Sequence, residues 1–187
     1  MNKVQQKLLL LQIRNRCDAE SFTKLYEWLV NPLYRYIYFK VSDPELARDL
    51  TSEVFLKAWK RLTKLVERKE ELEVKQLRAY FYTVARNLVI DHYRYQANFQ
   101  EDSLESAVGL PSSSQPLEEI ELTLEVKQIM ALIKNLKDSY QEVLLLRYVE
   151  DLGISEIARV MQKTPLSTRV LLHRAGMALK REYERQA

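Results

Sequence analysis

The stretch LRAYFYTVARNLVIDHYRYQ, Leu77 to Gln96, sets the terms for the whole chain. Its apolar residues recur at helical spacing, so it reads as one helix. It carries Tyr80, Phe81, Tyr82, His92, Tyr93 and Tyr95, and among those rings sit Arg78, Arg86, Asn87, Asp91 and Arg94. A buried helix does not want that many polar groups, and a solvent-facing helix does not want that many rings. Rings beside arginines suit single-stranded nucleic acid, because aromatic faces stack on bases while guanidinium groups neutralise phosphates. An unpaired base must be drawn from its stack, and a ring can fill the gap. Asn87 can read a base edge with both a donor and an acceptor. The residues also fit a plainer reading, with Phe81, Val84 and Leu88 as core and Tyr93 and Tyr95 at a domain edge. Spacing alone leaves both readings open.

Outward from this helix the apolar spacing stays helical almost throughout. Glycine is scarce, no Asn-Gly or Asp-Gly pair marks a hairpin, and no stretch alternates over a strand length. The expected fold class is all-α, and 187 residues leave room for one domain or two small ones. No apolar run approaches the roughly 20 residues of a transmembrane helix, so no direct membrane insertion is expected. The run Leu8–Leu11 is too short for a signal peptide and leads into Gln12, Arg14 and Arg16. Cys17 is alone, which fits a reducing cytosol.

The net charge of +3 conceals a division. Met1–Gln96 holds 18 Lys and Arg against 12 Asp and Glu; Ala97–Val126 holds 7 acidic residues and no basic one; Lys127–Ala187 holds 11 basic against 7 acidic. Two basic parts therefore flank an acidic segment, and basic helical parts suggest a polyanionic partner. Pro111, Pro116 and the serine run make the acidic segment the natural boundary. The expected organisation is a domain over 1–96, a flexible linker over 97–122 and a second domain over 123–187.

In the first domain, helices are expected from about Asn2 to Asn15 and from Asp18, as cap, to about Val30. A break at Asn31-Pro32 then opens a third. Ser42 or Asp43 caps a helix with Pro44 at its first position. That helix places Leu46, Leu50, Val54 and Ala58 on one stripe. The charged run Lys64–Lys75 carries no clear helical signal. In the second domain a helix is expected from about Leu117 to Asn135. Another, Ser139–Val149, should bury Val143, Leu144 and Leu146.

Catalytic chemistry is not visible. His92 and His173 lie in no metal-ligand spacing, and there is no phosphate-cradling glycine loop or nucleophile elbow. No catalytic residue, metal or cofactor is expected. The C-terminal stretch GISEIARVMQKTPLSTRVLLHR does carry a signal. Ala158 is small where two helices must approach, with Ile157 and Met161 beside it; Gln162 stands at the turn; Ser155 can cap the first helix; Thr164 and Pro165 open the second. The pattern points to a helix-turn-helix, with Ser167, Thr168 and Arg169 near the start of a helix that enters the major groove. A plain helical hairpin with solvated arginines fits the same spacing.

Together these stretches resemble a bacterial RNA polymerase sigma factor of the extracytoplasmic-function class. ARDLTSEVFLKAWKRL, Ala47–Leu62, is similar to the region two motif that docks on the polymerase clamp. LRAYFYTVARNLVIDHYRY is similar to the promoter-melting and minus-ten helix, and Leu136–Arg181 resembles region four, which reads the minus-thirty-five element. The resemblance implies that Asp49, Leu50, Glu53, Val54 and Phe55 face or support the clamp. It implies that Tyr80 and Phe81 help melt the duplex, that Asn87 sits by the unpaired strand and that Arg86 and Arg94 hold phosphate. Asp91 matches a family aspartate. Arg169, His173 and Arg174 would lie on the recognition helix. The implied partners are core RNA polymerase and promoter DNA, both duplex and unpaired non-template strand. Proteins of this class often have an anti-sigma factor as well, and a cytoplasmic location is implied.

The chain departs from the family pattern in places. Arg48 stands where a carboxylate is usual, Ser52 where Gln is usual, Tyr80 for a Trp, Gln162 for the turn Gly and Thr168 for a common Val. The run Lys64–Lys75 lies where the family places its base-capturing loop. Two rival functions remain at this level. A stand-alone helix-turn-helix regulator would not need ARDLTSEVF beside the aromatic helix, and a protein-only adaptor would show no DNA affinity.

The acidic linker resembles a connector lying in the polymerase's nucleic-acid channels, where its carboxylates would mimic RNA. Reversing those charges is expected to weaken polymerase binding or alter promoter escape, read by co-elution and abortive-product analysis. No change in either would remove the RNA-mimic idea.

Overall fold

The computed structural model describes residues 5, 8, 9, 11–13, 18–68, 77–102 and 124–186, and the fold is all-α. Two compact units emerge, one built on Met1–Asp102 and the other on Ser103–Ala158 with Gln162–Ala187. Cys17, residues 69–75 of the charged run and residues 103–122 of the expected linker lie outside the described residues.

The first unit is a bundle of three long helices in mutual contact, α1 (Ala19–Val41), α2 (Pro44–Glu67) and α3 (Leu77–Asp102). Described residues of the expected N-terminal helix are helical, and Leu9 and Ile13 among them are buried. Asp18 caps α1, its carboxylate accepting from the Ser21 amide at 2.9 Å. The expected break at Asn31-Pro32 is absent, since α1 runs through Pro32. An interior proline costs about 3 kcal/mol. Leu29, Leu33, Tyr36 and Ile37 are all buried around it, and each contributes about 1.5–3 kcal/mol. Burial wins, and the stripe continues unbroken.

Ser42 ends α1 in the left-handed region at φ 55°, with its amide donating to the Tyr38 carbonyl at 2.8 Å. Asp43, not Ser42, then caps α2, accepting from the Leu46 amide at 3.0 Å. Pro44 follows at the first position, where its missing N–H costs nothing. The buried stripe of α2 is Ala47, Leu50, Thr51, Val54, Phe55, Ala58 and Leu62, while Leu46 is only half-buried. Lys64 belongs to the last turn of α2, so the charged run begins as helix. Helix α3 continues to Asp102, six residues beyond Gln96.

Phe55 stands where the three helices meet. Its ring lies 4.6 Å from Tyr26 and 6.3 Å from Phe22 on α1, and 5.4 Å from Phe81 on α3. Trp59 extends the cluster to Phe22 at 4.6 Å, and Tyr36 meets Tyr82 edge-on at 5.4 Å. Such pairs add about 0.5–1.5 kcal/mol each beyond their burial.

The second unit packs α4 (Leu124–Lys134), α5 (Asp138–Leu144) and α7 (Pro165–Gln186) together, with the short α6 (Ile154–Val160) before α7. Helix α4 is described only from Leu124, so the expected start at Leu117 falls outside the described residues. Gln141 closes the turn between α4 and α5 by donating to the Leu136 and Lys134 carbonyls at 2.7 and 3.1 Å. Val143, Leu144 and Leu146 are buried as expected, but Glu142 and Leu145 are buried with them. Five successive buried residues span more than a full turn, so this helix is walled on every side. It widens into a π-helical turn, Leu145–Val149. The Glu150 amide reaches the Leu145 carbonyl at 3.1 Å and the Leu152 amide reaches Leu146 at 2.9 Å.

Ser155 does not cap α6. Gly153 precedes the helix, and its amide donates to the Glu156 carboxylate at 2.8 Å, the back-bonding half of a capping box. The helix ends on a left-handed residue at Gln162, φ 54°, and the Lys163 amide donates to the Ala158 carbonyl at 2.7 Å. This is the six-to-one bond of a Schellman motif. Glycine would adopt that backbone without penalty; Gln162 has a Cβ and gives up about 1 kcal/mol. Gln162→Gly is therefore expected to stabilise the C-terminal unit by about 1 kcal/mol. Differential scanning calorimetry should show that unit's Tm rising by about 4–8 °C. No rise would mean that the turn is not strained.

Candidate nucleic-acid and partner interfaces

On α2 the expected partner-contacting residues separate into two groups. Leu50, Val54 and Phe55 are 7%, 0% and 2% exposed, so they belong to the core and lie behind that face rather than on it. Asp49 is exposed and Glu53 half-exposed on the opposite side, with Ser52 beside them. The Ser52 hydroxyl donates back to the Arg48 carbonyl at 3.0 Å, and Glu53 pairs with Lys57 at 2.8 Å in an exposed bridge. Sequence reasoning missed Leu56, which is 55% exposed. It lies seven residues from Asp49 and three from Glu53, hence on the same helical face. The signal is present in the helical period, since Leu56 falls off the Leu50–Val54–Ala58 stripe. The face is thus two carboxylates around an exposed leucine, a combination that suits docking on a mixed basic and apolar surface.

On α3 the two open readings of Leu77–Gln96 are both partly right. Phe81, expected at the melting site, is fully buried against Phe55 and is a core residue. Tyr82, Ala85, Leu88 and Val89 are buried with it, while Val84 is half-buried. Tyr80 is half-exposed, its ring edge-on to Phe81 at 6.2 Å, so the buried ring backs the accessible one. Burial pushes the Tyr80 hydroxyl above its ordinary value, while the Arg61 charge pulls it down. The net shift is upward, so Tyr80 presents a neutral phenol at physiological pH. Asn87, Asp91 and Arg94 are exposed, and Arg86 is half-exposed. Tyr93 is tied down: its hydroxyl donates to the Lys40 carbonyl at 2.9 Å. That satisfies one carbonyl in the last turn of α1. Tyr95 is 64% exposed.

On α7 Thr164 and Ser167 form a reciprocal cap. The Ser167 amide donates to the Thr164 hydroxyl oxygen and the Thr164 amide to the Ser167 hydroxyl oxygen, both at 3.1 Å. Ser167 is exposed, but its hydroxyl is engaged in building the start of the helix. Thr168, expected to face DNA, is fully buried, and its hydroxyl donates to the Thr164 carbonyl at 2.9 Å. It belongs to the inward stripe with Ala175, where a valine-sized side chain fits. Arg169, His173 and Arg174 are exposed on the outward face. Leu166 and Val170, 70% and 43% exposed, flank Arg169 and were not anticipated. Apolar groups beside an arginine can meet thymine methyls in a major groove.

Among the described residues, no group of three or more His, Cys, Asp or Glu side chains could hold a metal ion. No described helix is long and apolar enough to cross a membrane.

Comparison with known proteins matches two family models in order along the chain. Sigma-70 region 2 covers residues 23–99 and Sigma-70, region 4 covers residues 127–179. The chain is 30% identical to the ECF RNA polymerase sigma factor BldN of Streptomyces coelicolor, over 88% of this chain and 61% of that protein. It is 25% identical to the ECF RNA polymerase sigma factor SigM of Bacillus subtilis, over 88% of this chain and 96% of that one. Among solved structures, the sigma factor RpoE of Bartonella quintana, in complex with the anti-sigma factor NepR, shares the fold. Its TM-score is 0.70 at 17% identity, covering 89% of this chain and 98% of that one.

The split between buried and exposed residues of α7 is testable by substitution. Thr168→Val exchanges one hydrogen bond for a buried methyl and should change stability by about 1 kcal/mol or less. It should leave low-salt binding to mixed-sequence duplex unaltered. Arg169→Ala should leave Tm unchanged yet weaken duplex binding and flatten its salt dependence. Anisotropy titration with thermal melting reads both; a DNA defect in Thr168→Val at unchanged stability would contradict the buried placement.

Proposed function

Because this chain belongs to the sigma-70 family, in its extracytoplasmic-function class, we propose that it binds core RNA polymerase and directs promoter-specific initiation by recognising and melting promoter DNA. The observation that carries the reading is the presence of region 2 and region 4 in order in one chain, each with an outward polar face on its key helix.

Exposure supports the following residue roles. Asp49 and Glu53 contact the polymerase clamp with Leu56 between them, while Leu50, Val54 and Phe55 hold that face rigid from inside. Tyr80 stacks on a base of the opening duplex, backed by Phe81. Asn87 faces the unpaired non-template strand, and Arg86 and Arg94 hold its phosphates. Arg169, His173 and Arg174 reach duplex DNA at the minus-thirty-five element, with Leu166 and Val170 alongside and Ser167 fixing the helix start. Domain roles follow the same division: clamp binding and melting in 1–96, a connector in 97–122, upstream anchoring in 123–187.

The protein performs no chemistry; its binding energy goes into opening DNA for the polymerase. It works in the cytoplasm, where polymerase and promoter are. An anti-sigma factor is a further partner on this reading, as for the Bartonella quintana protein.

Co-elution with cognate bacterial core RNA polymerase on a sizing column tests the central claim. The wild-type chain should co-elute, and an Asp49→Ala/Glu53→Ala double variant should not. Both side chains face outward, and the Glu53–Lys57 bridge contributes only about 0.3–0.5 kcal/mol, so the variant should stay folded. Phe55→Ala is unsuitable here, because emptying the core would cost about 3–5 kcal/mol. A folded wild-type chain that stays apart from core polymerase would remove the proposal.

A further inference from the structure

The N-terminal helix carries apolar residues on two sides. Leu9 and Ile13 are 3% and 0% exposed, whereas Leu8 and Leu11 are 56% and 38% exposed. A surface helix needs one apolar stripe, turned inward. Leu8 and Leu11 lie three residues apart, so they share a face and make a second stripe, turned outward. No role proposed above uses it. Beside it lies a groove of about 550 Å³ between the N-terminal helix and α1. Leu8, Leu9 and the half-buried Trp28 supply its apolar lining, and Gln5, Gln12, Lys24 and Glu27 its polar lining.

The chemistry of this lining selects its occupant. One ammonium and one carboxylate cancel, so the described lining has no charge excess for nucleic acid or for a strongly charged protein surface. Each of its groups is matched instead by another of the same set. Lys24 complements Glu27, a primary amide is both donor and acceptor to a primary amide, and leucine packs on leucine or tryptophan. A surface that complements itself is what a two-fold interface requires, because residue i then meets residue j twice. Lys24 and Glu27 lie three residues apart on α1, hence on one face. With two α1 helices antiparallel across the axis, Lys24 of each copy meets Glu27 of the other. In the single chain Lys24 bridges Glu20 at 2.6 Å. Both side chains are exposed, and such bridges are weak and exchange readily.

We infer that this groove is a self-association site, where a second copy of the chain docks through Leu8, Trp28 and reciprocal Lys24–Glu27 pairs. The exposed Leu8 of each copy fills the groove of the other. None of these residues belongs to the faces assigned above to polymerase or DNA, so the site is independent of that reading. Seven described lining residues a side fall below the roughly 20–30 of a standard interface. The association is therefore weak, with monomer and dimer coexisting at about 10–100 µM chain.

Sedimentation equilibrium of the full chain from about 1 to 300 µM tests the site. The average mass should climb from one chain toward two. Leu8→Glu should hold it at one chain, because two carboxylates would have to enter the apolar lining. Glu27→Lys should weaken the dimer about tenfold, since both pairs become like-charged. The swap Lys24→Glu/Glu27→Lys should recover most of that loss, because opposite charges meet again across the axis. A merely structural role for these side chains would not be rescued by exchanging their charges. All three positions are exposed, and thermal melting checks that each variant stays folded. A wild-type chain that stays monomeric throughout overturns the inference and leaves the groove to a different occupant. A dimer that Leu8→Glu does not disturb places the contact elsewhere and overturns it too. So does a swap that fails to rescue Glu27→Lys, since the reciprocal pairing is then absent.

Discussion

The position of one ring, Phe55, fixes the first unit. It touches Tyr26 on α1 and Phe81 on α3 within 5.4 Å, so the rotation of α2 about its own axis is set from both sides. Rotating α2 by one residue, about 100°, would expel that ring and bury Leu56 instead. The outward placement of Asp49, Glu53 and Leu56 is therefore a consequence of packing inside the bundle. Phe81 transmits the same constraint to Tyr80, whose ring rests edge-on against it. The proposed polymerase face on α2 and the proposed strand face on α3 are indexed to one buried contact.

In the second unit the corresponding constraint is backbone geometry. The outward face of α7 depends on how the chain enters that helix, and three devices set the entry. The Gly153–Glu156 bond starts α6, the left-handed Gln162 with its six-to-one bond stops it, and the Thr164–Ser167 pair starts α7. One of these uses a residue, Ser167, that a functional reading would assign to DNA. A serine that caps a helix near a groove sets the direction of its neighbours, and Arg169 inherits its direction from that cap.

Much of this was legible in the residues. Helical spacing, the Asp18 and Thr164 caps, Pro44 and Pro165 at first positions and the strained Gln162 are local signals, and they hold in the structure. What failed depended on tertiary contact. Pro32 reads as a break because its local cost is certain, while the burial that outweighs it is invisible in sequence. Residue type left Phe81 open between core and surface and put Thr168 on the DNA face in the same way. A ring beside arginines looks like a stacking platform, and a hydroxyl near a helix start looks like a DNA contact. Only the rotation of each helix decides, and neighbours fix that rotation. The π turn at Leu145–Val149 has no sequence signal of its own, since five consecutive buried residues suppress the period that would reveal it.

The distribution of charge fits a protein whose DNA contacts must count only in company. Net excesses of +6 and +4 on the two basic parts are small for a free DNA-binding domain. A stronger field would hold the chain on any duplex, since phosphate attraction carries no sequence information. Here the cations are focused instead: the outer face of α7, the Arg86–Arg94 side of α3 and the end of α2. Each patch can neutralise a few phosphates, and none supplies a broad basic surface. When a large partner fixes both units at once, the weak patches act together, because effective concentration replaces individual affinity. Specific placement by the partner and weak local attraction are then the same design requirement seen from two sides.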